Sequence, residues 1–162
     1  MERVPVTADG FARLKEELRT LKEVERPRIS QEIGVAREHG DLRENAEYHA
    51  AKEKQGMVEA RILELEDHLA RADIIDTSKL SGERVAFGAY VKIENSDTGE
   101  IQQFRLVGPD EVKFTEGAIS ITAPMARALI GKRPGDEFQV RAPGGTRDYE
   151  VVAVSFRGFP GS

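Results

Sequence analysis

Tyr48, Ala51, Gln55, Val58, Ile62, Leu65, Leu69 and Ala72 step along the chain by three, four, three, four, three, four and three residues. That spacing is the seam of a coiled coil, and it constrains the fold more than any other feature. A helix with one narrow apolar stripe needs a partner helix. A second stripe stands just upstream: Phe11, Leu14, Leu18 and Leu21, then Ile29, Ile33 and Ala36. Its helix is expected to start after Thr7, a suitable N-cap, and to run to about Glu38. From Leu21 the line continues through Glu25 to Ile29 and Ile33 only in steps of four, a stutter that unwinds a supercoil locally. Pro27 lies in the same stretch and predicts a kink there, or two helices meeting. Only "HGD", residues 39–41, reads as a turn between the two stripes, and so short a connection makes neighbours antiparallel. Arms of roughly 28–32 residues would extend about 40–45 Å, a rod too thin to enclose a pocket. Gln55 and Gly56 weaken the apolar line near the turn, where small residues let helices approach closely.

The second half changes grammar. "RVAFGAYVKIE", "IQQFRLVG", "GAISI", "EFQVRA" and "DYEVVAVSF" read as short strands, punctuated by "NSDTG" and "PGG". One short helix fits "TAPMARALIG", with Thr122 as cap, Pro124 in the first turn and Gly131 just past the end. Strands joined mostly by tight turns, with a single helix, predict an antiparallel sheet packed on that helix. The class is α+β. The expected boundaries are a hairpin over 1–76 with its tip near 39–45, a polar linker over 77–83 and a body over 84–162.

Charge narrows the partners. The chain of 162 residues has a net charge of −5, and the acidic surplus lies wholly in the first half. Binders of naked nucleic acid are usually basic, because phosphate neutralisation supplies most of their affinity. A protein partner, or a nucleic acid already held by one, fits better. No apolar run approaches the ~20 residues of a membrane span, and "MERVPVTADG" has no secretory pattern. Cysteine is absent, which excludes disulfides and thiolate metal sites and agrees with the cytoplasm.

The tip concentrates acids in "EHGDLRENAEYH", residues 38–49. Asp41 and Glu44 have the spacing of a capping box for the second helix, worth about 1 kcal/mol. The same two carboxylates are hard oxygen donors suited to Mg²⁺, which often takes only one or two from protein. Alone on a tip they would hold it weakly. Beside another metal and a phosphodiester they could complete a two-metal site that activates water.

"AREHGDLRENAEYHAAKEKQG", residues 36–56, and "APMARALIGKRPGDEFQVRAPGG", residues 123–145, resemble the two signatures of the bacterial Gre family of transcript-cleavage factors. The resemblance covers essentially the whole chain, in order. It implies a coiled-coil hairpin followed by an FKBP-like domain that docks on bacterial RNA polymerase at the mouth of its secondary channel. The hairpin would pass down the channel and stimulate cleavage of the extruded RNA 3′ end in backtracked complexes. It implies that Asp41 and Glu44 help hold the second Mg²⁺, in the polymerase active centre only, and position water. The chain would be an accessory factor and not a complete enzyme. A basic patch contacting RNA would fall on Arg37, Lys52 and Arg43, each of which also reads as ordinary solvated helix surface. Pro124, Met125 and Ile130 would face polymerase, or simply belong to a core helix.

Tyr48, on the seam, reads as packing below the tip or as a contact to RNA. His39 and His49 flank the acids without a spacing that converges on zinc. A self-paired hairpin needs no second copy, so a monomer is expected. Three rivals predict other behaviour. A channel-blocking relative would carry a differently acidic tip, whereas this one reads "GDLREN". A peptidyl-prolyl isomerase would want an aromatic-lined pocket in a chain with 6% aromatic residues and no tryptophan. A plain coiled-coil adaptor would tolerate any replacement of the tip acids that spares helicity.

Overall fold

The computed structural model describes residues 2–40, 45–77 and 80–160. The chain divides into two compact units, Ala12–Arg71 and Met1–Phe11 with Ala72–Ser162. The first eleven residues therefore group with the C-terminal body, not with the hairpin as the 1–76 boundary supposes.

The hairpin unit holds most of α1 (Ala8–Thr20), a π-helical turn (Leu21–Glu25), α2 (Arg26–Arg37) and α3 (Ala46–Arg71). The stutter and Pro27 resolve together. A π-turn inserts one extra residue into the helix, the Arg26 N–H donates to Leu21 O, and Pro27 falls in the first turn of α2, where its missing N–H costs little. The backbone of Leu21–Arg26 stays helical, and a widened π-turn stands where a kink or a meeting of two helices was expected. Ile29, Ile33 and Ala51 form the apolar contact of α2 with α3, with Tyr48 and Val58 against it. α3 has 26 residues, about 39 Å at 1.5 Å per residue.

Ion pairs along the seam hold the antiparallel register. Arg26 makes a forked contact with Glu59 at 2.9 and 2.8 Å. Lys22 lies 3.6 Å from Glu66, and Lys54 lies 3.8 Å from Glu32. The pair with the least exposed partners is Arg61–Glu17, two bonds of 2.9 Å between α3 and α1. Hydrogen bonding to Glu17 holds the Arg61 guanidinium above its ordinary pKa. Arg61 is only 17% exposed, so its alkyl stem also packs. Arg61→Ala should cost about 1–2 kcal/mol, between the worth of exposed and buried pairs, whereas Lys22→Ala should be nearly neutral. Urea unfolding of the two variants checks the contrast.

The second unit contains two sheets. β1 (Val4–Thr7) pairs in parallel with β2 (Ala72–Ile75). A five-stranded sheet runs in the order β5–β4–β3–β7–β6, built from β3 (Tyr90–Asn95), β4 (Ile101–Val107), β5 (Ala118–Ser120), β6 (Glu137–Ala142) and β7 (Gly145–Ser155). Its pairs are antiparallel except β4–β5, so the sheet is mixed and not wholly antiparallel. A 3₁₀ turn at Val112–Phe114 lies in the connection that makes β5 run parallel to β4. α4 (Pro124–Leu129) buries Ala126 and Leu129 in a core with Val91, Ile93, Leu106, Phe138 and Val151. Its N-cap is Ala123, without a side-chain bond. Thr122 instead has its hydroxyl 2.7 Å from that of Ser120. Gly131 closes the helix at φ +85° and donates to Val85 O at 2.8 Å, and residues 84–89 lie outside the strand predicted to start at Arg84.

A buried carboxylate fastens the start of α1 within this unit. Glu111 has no exposed surface. Its Oε2 accepts from Thr7 N–H at 2.8 Å and Gly108 N–H at 3.1 Å, and its Oε1 accepts the Thr7 hydroxyl. The Thr7 hydroxyl oxygen in turn accepts the Gly10 N–H at 3.0 Å, the expected cap of α1. A Cβ at Gly10 would stand 2.2 Å from Glu111 Oε1, and one at Gly108 would stand 2.0 Å from Pro5 O. Nearby, burial opposes the charge on Asp9, yet a Thr7 hydrogen bond and the Arg105 guanidinium together hold its pKa below the usual value.

Candidate functional site at the hairpin end

α2 ends where its carbonyls run out of helical partners. Glu38 N–H donates to Val35 O and His39 N–H to Ala36 O, both at 3.1 Å, and Gly40 turns the chain at φ +107°. Asp41, Arg43 and Glu44 lie outside the described residues. The chain re-enters at Asn45, which caps α3: its Oδ1 accepts Tyr48 N–H at 3.0 Å. Its Nδ2 donates to Ala36 O at 2.5 Å. One amide thus joins the end of α2 to the start of α3.

This corrects two expectations. α2 ends at Arg37 and α3 begins at Ala46, whereas "HGD" alone was expected between the helices. The cap of α3 is Asn45 and not Asp41, because the helix begins at Ala46. Asn45 went unnoticed in the sequence, although an asparagine three residues before the first seam position, Tyr48, is an N-cap signal.

The other candidates have definite surroundings. Arg37 is exposed, with its guanidinium carbon 6.0 Å from the Tyr48 ring centroid. Lys52 is exposed one turn beyond Tyr48 on the same helix face, and its Nζ donates to Gln55 at 3.0 Å. Arg37, Tyr48 and Lys52 therefore share one side. Tyr48 packs against the Ile29, Ile33 and Ala51 contact, as the seam predicts. His39 Nδ1 lies 3.3 Å from Glu47, and the His49 ring meets Tyr48 edge-on at 5.6 Å. Among the described residues no three His, Asp or Glu side chains converge on a metal site. In the other unit, Pro124 is exposed at the first position of α4 and Ile130 is 41% exposed, while Met125 packs partly against the core. The patch predicted there is thus exposed at two of its three positions.

Comparison with known proteins gives this architecture a class. Residues 4–74 match the family described as "Transcription elongation factor, N-terminal", and residues 80–156 match "Transcription elongation factor, GreA/GreB, C-term". The chain is a transcription elongation factor. More particularly, it belongs to the GreA/GreB family and is of the GreA type. Transcription elongation factor GreA of Hyphomonas neptunium is 58% identical over 157 residues, 97% of this chain and 100% of that one. The factor of the same name from Brucella anthropi is 57% identical over 156 residues, 96% of this chain and 99% of that one. Among solved structures, the GreA factor homolog 1 (Gfh1) protein of Thermus thermophilus is 32% identical, covers 94% of this chain and 99% of that one, and has a TM-score of 0.44.

Proposed function

We propose that the chain binds bacterial RNA polymerase in the cytoplasm and stimulates cleavage of the RNA 3′ end in backtracked, arrested complexes. The hairpin enters the secondary channel, and Asp41 and Glu44 act at the polymerase's own catalytic centre. One observation supports this reading: the Tyr48 N–H at the start of α3 is taken by Asn45 Oδ1, so that cap bond is made by neither acid. Their donor chemistry fits Mg²⁺, two hard oxygens three residues apart, with the remaining positions left to polymerase and RNA. Bound there, the ion would stabilise charge on the phosphodiester and lower the pKa of an attacking water.

The rest of the work falls to this chain's own residues. The seam and its ion pairs keep the two arms from splaying, which favours delivery of both acids together. Arg37 and Lys52 supply positive charge beside the acids, suited to RNA phosphates, and Tyr48 offers a ring at the same place. Pro124 and Ile130, with part of Met125, provide apolar surface for docking on polymerase. One chain per polymerase suffices.

The test is RNA cleavage in stalled complexes at rising Mg²⁺. The single variants Asp41→Asn and Glu44→Gln should be slow at low Mg²⁺ and regain part of the wild-type rate at high Mg²⁺. A deficit independent of Mg²⁺ would argue that the acids do something other than retain the ion.

A further inference from the structure

We infer that the open edge of β6 is a self-association surface: two copies of this chain pair there strand to strand, antiparallel and in register about Gln139. The inference is independent of the proposed function. β6 (Glu137–Ala142) is the last strand of the five-stranded sheet and pairs with β7 alone. Among the described residues no backbone hydrogen bond joins it to any other element. Such an edge is a row of donors and acceptors that another strand can use. Pro143, which has no N–H to give, ends the row.

The order of the side chains singles out a second copy. Paired with itself about Gln139, β6 sets Glu137 opposite Arg141 of the second copy. The two-fold axis repeats that contact, so two ion pairs form together. Glu137, Gln139 and Arg141 are exposed and share one face of the strand. On the other face Phe138 meets Val140 of the second copy, an aromatic against a β-branched residue, which is a favoured cross-strand pair. Moving the axis one residue either way separates Glu137 from Arg141. Within its own sheet Glu137 stands opposite Glu150, an unfavourable like-charge pair. Neither Glu137 nor Arg141 has an ion pair among the described residues. The second copy thus brings a guanidinium to a place where the chain itself sets two carboxylates. So short an edge buries little area, and the dimer is reversible.

The test is sedimentation equilibrium of the full chain at rising concentration, where a monomer–dimer equilibrium is expected. Glu137→Lys and Arg141→Glu each turn both ion pairs into like-charge pairs, and each should weaken self-association on the order of tenfold or more. Mixed in equal amounts, the two variants again oppose unlike charges at both positions, so a heterodimer should form with near-wild-type affinity. That rescue belongs to the antiparallel register about Gln139, and misfolded variants could not produce it. A cysteine scan gives a second readout, since the chain has no cysteine of its own. Directly opposed antiparallel residues have Cα atoms about 4.5–5.5 Å apart, within disulfide reach. Gln139→Cys should therefore cross-link into dimers on mild oxidation. Val152→Cys, exposed on the inner strand β7, should not. A monomer at every concentration with no cross-link through position 139 would overturn the inference. So would a dimer indifferent to both charge reversals, or a mixture that fails to rescue. A chain that stays monomeric while either reversal weakens polymerase binding would assign the edge to polymerase and equally overturn it.

Discussion

The double substitution Asp41→Asn/Glu44→Gln should reduce RNA cleavage in stalled complexes to near the factor-free rate while polymerase binding and helical content stay as in wild type. Both replacements keep the size of the originals and one acceptor oxygen, exchange the other oxygen for an NH2 donor and remove the charge. α3 does not depend on either residue for its cap, because Asn45 Oδ1 takes the Tyr48 N–H. Helical content measured on the same variant separates a lost ligand from a lost helix. The expected deficit is on the order of a hundredfold or more, the scale seen when a preorganised electrostatic group is removed from a reaction centre. Single-turnover cleavage beside a competition assay for polymerase measures both quantities. The adaptor reading expects full cleavage from the same variant.

Glu111→Ala should produce the largest change in stability. The side chain is fully buried and accepts two backbone N–H groups and one hydroxyl. Deleting it leaves those donors without their acceptor in a dry site, at about 1–3 kcal/mol each. The losses overlap, so the expected total is about 3–5 kcal/mol. In a chain of this length that lowers Tm by roughly 10 °C or more. Glu111→Gln retains one acceptor oxygen and should lose about half as much. Gly10→Ala should behave like a milder Glu111 variant, since its Cβ would press on the same carboxylate. Thermal and urea unfolding of the full chain decide the matter. A Glu111→Ala loss under 1 kcal/mol would mean that the donors find water or other acceptors at no cost.

Most of the architecture could be read from the sequence because period is a strong signal. The seam from Tyr48 to Leu69 is helical as predicted, and every strand of the large sheet overlaps the segment chosen for it, although β3 runs one residue further, to Asn95, and β7 starts three residues earlier, at Gly145 of the predicted "PGG" turn. The parts that escaped have physical reasons. β1 is only four residues long and contains Pro5, and its partner β2 follows directly on the helical pattern of α3, so Ala72 reads equally well as the end of the seam. Alternation does not encode strand direction, so the parallel pairing of β5 with β4 could not be seen from "GAISI". The stutter located the irregular turn but could not distinguish a kink from a π-turn, since both accommodate Pro27. At the tip, Asp41 and Asn45 are both good caps four residues apart. Asn45 also bonds Ala36, nine residues back on the other helix, a contact that the local capping pattern does not supply. Arg37 and Tyr48 stand close only because the arms are antiparallel, yet their family motif had already marked that stretch.

The central claim is that the hairpin end reaches the polymerase's catalytic metal. Exchanging Mg²⁺ for Fe²⁺ in the complex and letting locally generated hydroxyl radicals cut the protein tests it most directly. The account predicts cuts in this chain next to residues 41–44, dependent on polymerase and lost when Mg²⁺ is restored in excess. Cuts confined to residues 84–162, or none at all in a complex shown to be fully bound, would contradict it.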